Sequence, residues 1–115
     1  MTSVFSLYAT LKDRIESRQA AVATLGLGYV GLPLALTISE AGFPTTGFDI
    51  NTDRVTRINA GDRVISYFPE DRIRSAVTNG KFAATADFAR LADQDVILIC
   101  VPTPLSDTRE PELKY

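Results

Sequence analysis

The chain has no histidine, a single cysteine and no marked excess of either charge. Without histidine it lacks the commonest general base near neutral pH and the commonest nitrogen ligand for metals. With Cys100 alone, no disulfide can close within the chain, and a reducing cytoplasm is the expected compartment. Twelve basic and fourteen acidic residues give a net charge of −2. No basic run is present, which argues against a nucleic-acid surface. No apolar run approaches the roughly 20 residues that cross a bilayer. The N-terminus shows no basic segment leading into an apolar core, so no secretory signal is expected. Repeats and low-complexity tracts are likewise missing.

What remains is an ordinary globular composition, 45% apolar and 23% charged over 115 residues, enough for one domain with a real core. The chain is organised around Val22-Ala23-Thr24-Leu25-Gly26-Leu27-Gly28-Tyr29-Val30-Gly31. A short apolar strand enters a Gly-x-Gly-x-x-Gly turn, and the turn opens into the apolar helix that starts Leu32-Pro33-Leu34-Ala35. In that context each glycine has a physical role. Gly26 lets the chain turn off the strand, Gly28 lets a pyrophosphate approach the backbone, and Gly31 lets the helix pack closely. The phosphates then meet unpaired N–H groups and the positive end of the helix dipole. Tyr29 and Val30 contribute main chain to that turn.

Hydrophobic spacing predicts the other elements. Val4, Phe5, Leu7, Tyr8, Leu11 and Ile15 fall on one side of an amphipathic packing helix over residues 4–18. Strands are expected at 21–26, 44–49, 82–85 and 96–101, and helices at 29–41, 52–60, 69–79 and, briefly, 87–91. Gly42 is placed to end the second helix, and Asn51 to cap the third. The predicted fold is α/β, a partial Rossmann-type doubly wound parallel sheet of strand order 3-2-1-4, preceded by the N-terminal helix. Residues 1–20 are read as that helix and 21–115 as a dinucleotide-binding domain.

Asp49 ends the second strand about 20 residues beyond the glycine turn, the interval expected of the acid that grips the adenosine ribose. A carboxylate there accepts from the 2′-hydroxyl and repels a 2′-phosphate, which favours NAD over NADP. The plainer alternative is a helix-capping or solvent-facing acid. Arg54, one turn further on, can reach the ribose or a phosphate, or simply sit in solvent. Thr103 follows the fourth strand, at the carboxyl end where such sheets bind ligands, and its alternative is turn chemistry between Pro102 and Pro104. Thr85 is a weaker candidate near the adenine side. Cys100 lies in an apolar strand with nothing to activate it and is read as a small hydrophobe rather than a nucleophile. No catalytic or metal-binding residue is assigned.

Gly26-Leu27-Gly28-Tyr29-Val30-Gly31-Leu32-Pro33-Leu34-Ala35, Gly47-Phe48-Asp49-Ile50-Asn51 and Cys100-Val101-Pro102-Thr103-Pro104-Leu105 closely resemble the UDP-glucose/GDP-mannose dehydrogenase family. The later Arg109-Glu110-Pro111-Glu112-Leu113 is most similar to its UDP-N-acetylglucosamine 6-dehydrogenase branch. The resemblance covers residues 21–115. It implies NAD-dependent, two-step oxidation of a sugar C6 alcohol to a carboxylate for polysaccharide synthesis, with a cysteine trapping the aldehyde as a thiohemiacetal. It also implies that Gly26, Gly28, Gly31, Asp49, Arg54 and Thr103 contact the cofactor. Family members run to several hundred residues, and their catalytic glutamate, lysine, asparagine and cysteine would all lie beyond residue 115. The chain is therefore expected to be a fragment, inactive alone, that binds NAD and meets a UDP-sugar only in a longer protein. Its fourth strand would be an exposed apolar edge. Self-association through that strand or the first helix is expected. The competing reading is a stand-alone NAD-binding, regulatory or oligomerising module without catalysis.

Overall fold

The computed structural model describes residues 4–62, 64 and 69–100. The elements are α1 (Val4–Glu16), β1 (Val22–Leu25), α2 (Gly31–Glu40), β2 (Thr45–Phe48), α3 (Thr52–Asn59), α4 (Glu70–Thr78), β3 (Phe82–Thr85), a 3-10 helix (Phe88–Asp93) and β4 (Val96–Ile99). The strands form one parallel sheet in the order β3-β2-β1-β4, as the sequence predicts. Thr24, Gly47, Ala84 and Leu98 stand in register across it.

Side chains alternate across a strand, so this register divides the sheet into two unlike faces. Phe82 and Ala84 join Leu27, Leu32, Ala35, Leu36, Ile58, Ile73 and Ala76 in one core, with α2, α3 and α4 packed on that face. Arg72 of α4 holds Glu40 of α2 through two hydrogen bonds, from Nε at 3.0 Å and Nη2 at 2.6 Å. The opposite face is thinly covered. Phe48 lies there, fully buried, with its ring 5.7 Å from that of Phe88 in the 3-10 helix. Toward β4 the cover gives out, leaving Ile97 46% and Ile99 71% exposed. β4 is thus half-exposed, in keeping with its place at the edge of the sheet.

Local chemistry sets the element ends. Gly42 takes φ +104° after α2, a conformation in which a β-carbon is strained. The Asn51 side chain accepts from the Arg54 N–H at 3.0 Å and so caps α3. Asp87 accepts from the Ala89 N–H in the same way, and the turn it starts is 3-10 and runs to Asp93.

α1 departs from expectation. It is two residues shorter than predicted, and none of its residues is buried. Periodicity shows that a helix has an apolar stripe but not what the stripe meets. The helix is tethered at its C-terminal end, where Arg14 pairs with Asp95 at 2.9 Å and Arg18 donates to the Ala41 carbonyl.

Candidate functional site

β1 delivers the chain to the glycine turn at the carboxyl end of the sheet. The Gly26 N–H donates to the Phe48 carbonyl at 2.7 Å, and the Cys100 N–H donates to the Leu25 carbonyl at 2.8 Å. Gly26 then adopts φ +98°, which turns the chain out of the strand. The next residue does not follow it toward solvent. Leu27 is fully buried in the core over β2, where a β-carbon on Gly47 would lie 2.4 Å from its Cδ2. Gly31 closes the turn, and a β-carbon there would stand 1.8 Å from the Gly26 carbonyl oxygen.

Gly28 behaves differently. Nothing lies within 4 Å of the position a β-carbon would take, so protein packing does not require glycine there. Tyr29 and Val30 beside it are 70% and 67% exposed. Val30 makes no side-chain cap, and the first turn of α2 contains no acid. The Leu32 N–H donates to the Gly28 carbonyl at 3.2 Å and Pro33 has no N–H, so the Gly31 N–H opens α2 without a side-chain cap or counter-charge of the helix's own. An anion is the natural partner of such an end.

Asp49 and Arg54 reach the same turn from β2 and α3. Asp49 Oδ2 accepts from the Leu27 N–H at 3.0 Å, and its Oδ1 accepts from the Asn51 N–H at 2.9 Å. The Asp49 N–H donates to the Thr85 carbonyl at 3.1 Å, which fixes the start of the loop after β2. The side chain is half-buried and carries two lone-pair directions beyond those in use. Arg54 Nη1 donates to the Leu27 carbonyl at 3.0 Å, so Arg54 is bound to the turn rather than solvated.

Gly26, Gly28, Tyr29, Val30, Gly31, Asp49 and Arg54 therefore form one cluster. Thr103 lies outside the described residues, as do Pro102, Pro104 and the segment 109–113. Thr85 lies close by through its backbone, while its Oγ1 accepts from the Asp87 N–H at 3.1 Å. Cys100 sits under the turn, with its Cβ 3.2 Å from where a Gly31 β-carbon would be, and partial burial raises its thiol pKa. That is the reverse of an activated nucleophile. Sequence reasoning named Asp49 and Arg54 but missed Gly47 and the hydrogen bonds that tie both side chains to Leu27. A glycine inside a strand is a signal of close approach and pointed to Gly47.

A shallow cleft lined by Leu7, Thr10, Leu11, Arg14, Gln94 and Asp95 lies at the other end of the strands, away from this cluster. Among the described residues no group of three or more His, Cys, Asp or Glu is placed to hold a metal ion. No described helix is long and apolar enough to cross a membrane.

Residues 20–115 match the model of the UDP-glucose/GDP-mannose dehydrogenase family, NAD binding domain. The chain is 36% identical over 95 residues to the UDP-N-acetyl-D-mannosamine dehydrogenase of Pyrococcus horikoshii, a match covering 82% of the chain and 22% of that protein. It is 33% identical over 95 residues to the UDP-N-acetyl-D-glucosamine 6-dehydrogenase of Salmonella typhi, covering 83% of the chain and 21% of that protein. The crystal structure of a ternary complex of GDP-mannose dehydrogenase from Pseudomonas aeruginosa superposes with a TM-score of 0.73 at 31% identity, over 79% of the chain and 21% of its own. The chain thus spans about a fifth of the length of the proteins it resembles.

Proposed function

The chain belongs to the UDP-glucose/GDP-mannose dehydrogenase family, whose NAD binding domain it matches from residue 20 to its last residue, and from that premise we propose that the glycine-turn cluster binds NAD. The main-chain N–H groups of the open part of the turn, residues 28–31, hold the diphosphate, those of Gly26 and Leu27 being taken by Phe48 and Asp49. Asp49 accepts from the adenosine ribose hydroxyls and repels a 2′-phosphate. Arg54 belongs to the same site, and Thr103, outside the described residues, is assigned to it on the sequence alone. Residues 1–20 are assigned as an N-terminal helix segment and 21–115 as the cofactor domain.

One observation carries this reading: the 3.0 Å hydrogen bond from the Leu27 N–H to Asp49 Oδ2. It sets the carboxylate against the glycine turn, beside the open space at Gly28. In a complete enzyme the bound nicotinamide would accept hydride from the C6 alcohol of a nucleotide sugar. This chain's part would be to hold and orient the cofactor, while groups outside it do the chemistry on the sugar. The substrate would be a UDP-sugar and the product a precursor of a surface polysaccharide, made in the cytoplasm. The UDP-N-acetylglucosamine branch is favoured by the sequence of residues 109–113.

A second reading is favoured by the exposed Ile97 and Ile99 and by the unburied apolar stripe of α1. In it the 115-residue chain self-associates through β4 or α1. Sedimentation at rising concentration tests this, and a monomer throughout would overturn it.

Thermal melting with NAD, NADP and UDP-sugars tests the main proposal. At a hundred times its dissociation constant NAD should add about 2.7 kcal/mol of stability. Stabilisation by NADP and not by NAD would overturn the role given to Asp49.

A further inference from the structure

Leu27 is held on both sides of its α-carbon by two side chains from the next strand and helix. Its N–H is fixed by Asp49 Oδ2 at 3.0 Å and its carbonyl by Arg54 Nη1 at 3.0 Å. Its own side chain is fully buried over Gly47. Both peptide groups flanking Leu27 are therefore immobilised. The second is the Leu27–Gly28 peptide, which is trans like every other described bond. In a trans peptide the carbonyl and the N–H point in opposite directions. Fixing the Leu27 carbonyl toward Arg54 thus fixes the direction of the Gly28 N–H. Gly28 is the residue of the turn whose β-carbon position faces open space. A charged donor on the carbonyl also polarises the N–H at the other end of the same peptide, since linked hydrogen bonds strengthen one another.

We infer that Arg54 is a positioning residue: acting through the Leu27 carbonyl, it aims and polarises the Gly28 N–H toward a diphosphate. This inference rests on the cofactor reading above. It assigns Arg54 to the diphosphate end of the ligand, although Arg54 enters the site beside the ribose-binding acid. A planar guanidinium suits this because it spends one donor on the carbonyl while its charge stays beside the turn.

The test uses the 115-residue chain, with adenosine, ADP and NAD as probes and amide resonances as a second readout. Arg54→Ala should weaken ADP and NAD roughly tenfold, as expected for loss of a charge-assisted hydrogen bond, and leave adenosine within about twofold. In the ligand-free protein the same variant should shift the Gly28 amide resonance. Arg54→Lys keeps the charge and serves as the milder variant if Arg54→Ala fails to fold. It should shift the same resonance and fall between the other two in ADP affinity. Equal losses for adenosine and ADP would overturn the inference, because Arg54 would then touch the nucleoside itself. Loss of ADP with an unmoved Gly28 amide would overturn it too, because charge alone would account for the effect. Failure of the unaltered chain to bind either ADP or NAD would instead sink the cofactor reading.

Discussion

The α-carbon of Gly31 lies against the carbonyl of Gly26, so closely that a β-carbon at residue 31 would stand 1.8 Å from that oxygen. The obstacle is main chain from the same turn, which no side-chain rotation can relieve. Gly28, three residues earlier, meets nothing within 4 Å. The two glycines should therefore fail in different ways.

Gly31→Ala should destabilise the fold by about 3 kcal/mol or more, at or above the top of the range for overpacking. Urea denaturation measures it as a lowered midpoint with an unchanged slope. Gly28→Ala should stay within about 0.5 kcal/mol of the parent in the same experiment. It should nevertheless lose most of the stabilisation by NAD, because the added methyl occupies the space the diphosphate needs. Equal destabilisation by the two changes would contradict this assignment.

Asp49→Ala removes the acceptor of two backbone N–H groups, those of Leu27 and Asn51. The expected loss is about 1–3 kcal/mol in the ligand-free protein. The preference for NAD over NADP should also shrink, since no carboxylate remains to repel the 2′-phosphate. Melting curves with each nucleotide measure both effects, and an unchanged preference would remove Asp49 from nucleotide selection.

Thr24 is fully buried at the centre of β1, and its Oγ1 has no hydrogen-bond partner among the described residues. Thr24→Val exchanges that hydroxyl for a methyl group of similar shape. It should raise stability by about 1 kcal/mol, the cost of an unsatisfied buried hydroxyl. A loss on denaturation would point to a partner for Oγ1.

The Cys100 thiol has its pKa raised by partial burial. A raised pKa leaves a smaller thiolate fraction at any given pH, and the thiolate is the reacting species. Alkylation by iodoacetamide should therefore be slower than for free cysteine at pH 8, with its pH midpoint displaced upward. Faster alkylation than free cysteine would reopen the nucleophile reading.

Much of this arrangement was legible in the residues. β3 runs over Phe82–Thr85 as the apolar pattern says, and the sheet order is the predicted one. Asp49 stands against the turn that its spacing from Gly26 selects. Local signals suffice there, because a strand end, a glycine and a cap each act within a few residues. That Gly47 and Arg54 meet Leu27 was not legible. Gly47 and Arg54 are 20 and 27 residues away, and only the folded sheet brings them together. α1 failed for a related reason: its pattern was read correctly, but the docking inferred from it depends on a surface the pattern does not name.

The shape match between Leu27 and Gly47 also bears on engineering. Residue 27 is one of the freely varying letters of the phosphate-loop signature, yet here its bulk fills a recess that exists only because β2 carries hydrogen at the facing site. Anyone grafting this nucleotide loop onto another scaffold would need to transplant both positions together. A chimera that copied the three glycines alone would wedge its leucine against a foreign methyl and distort the loop it was meant to import.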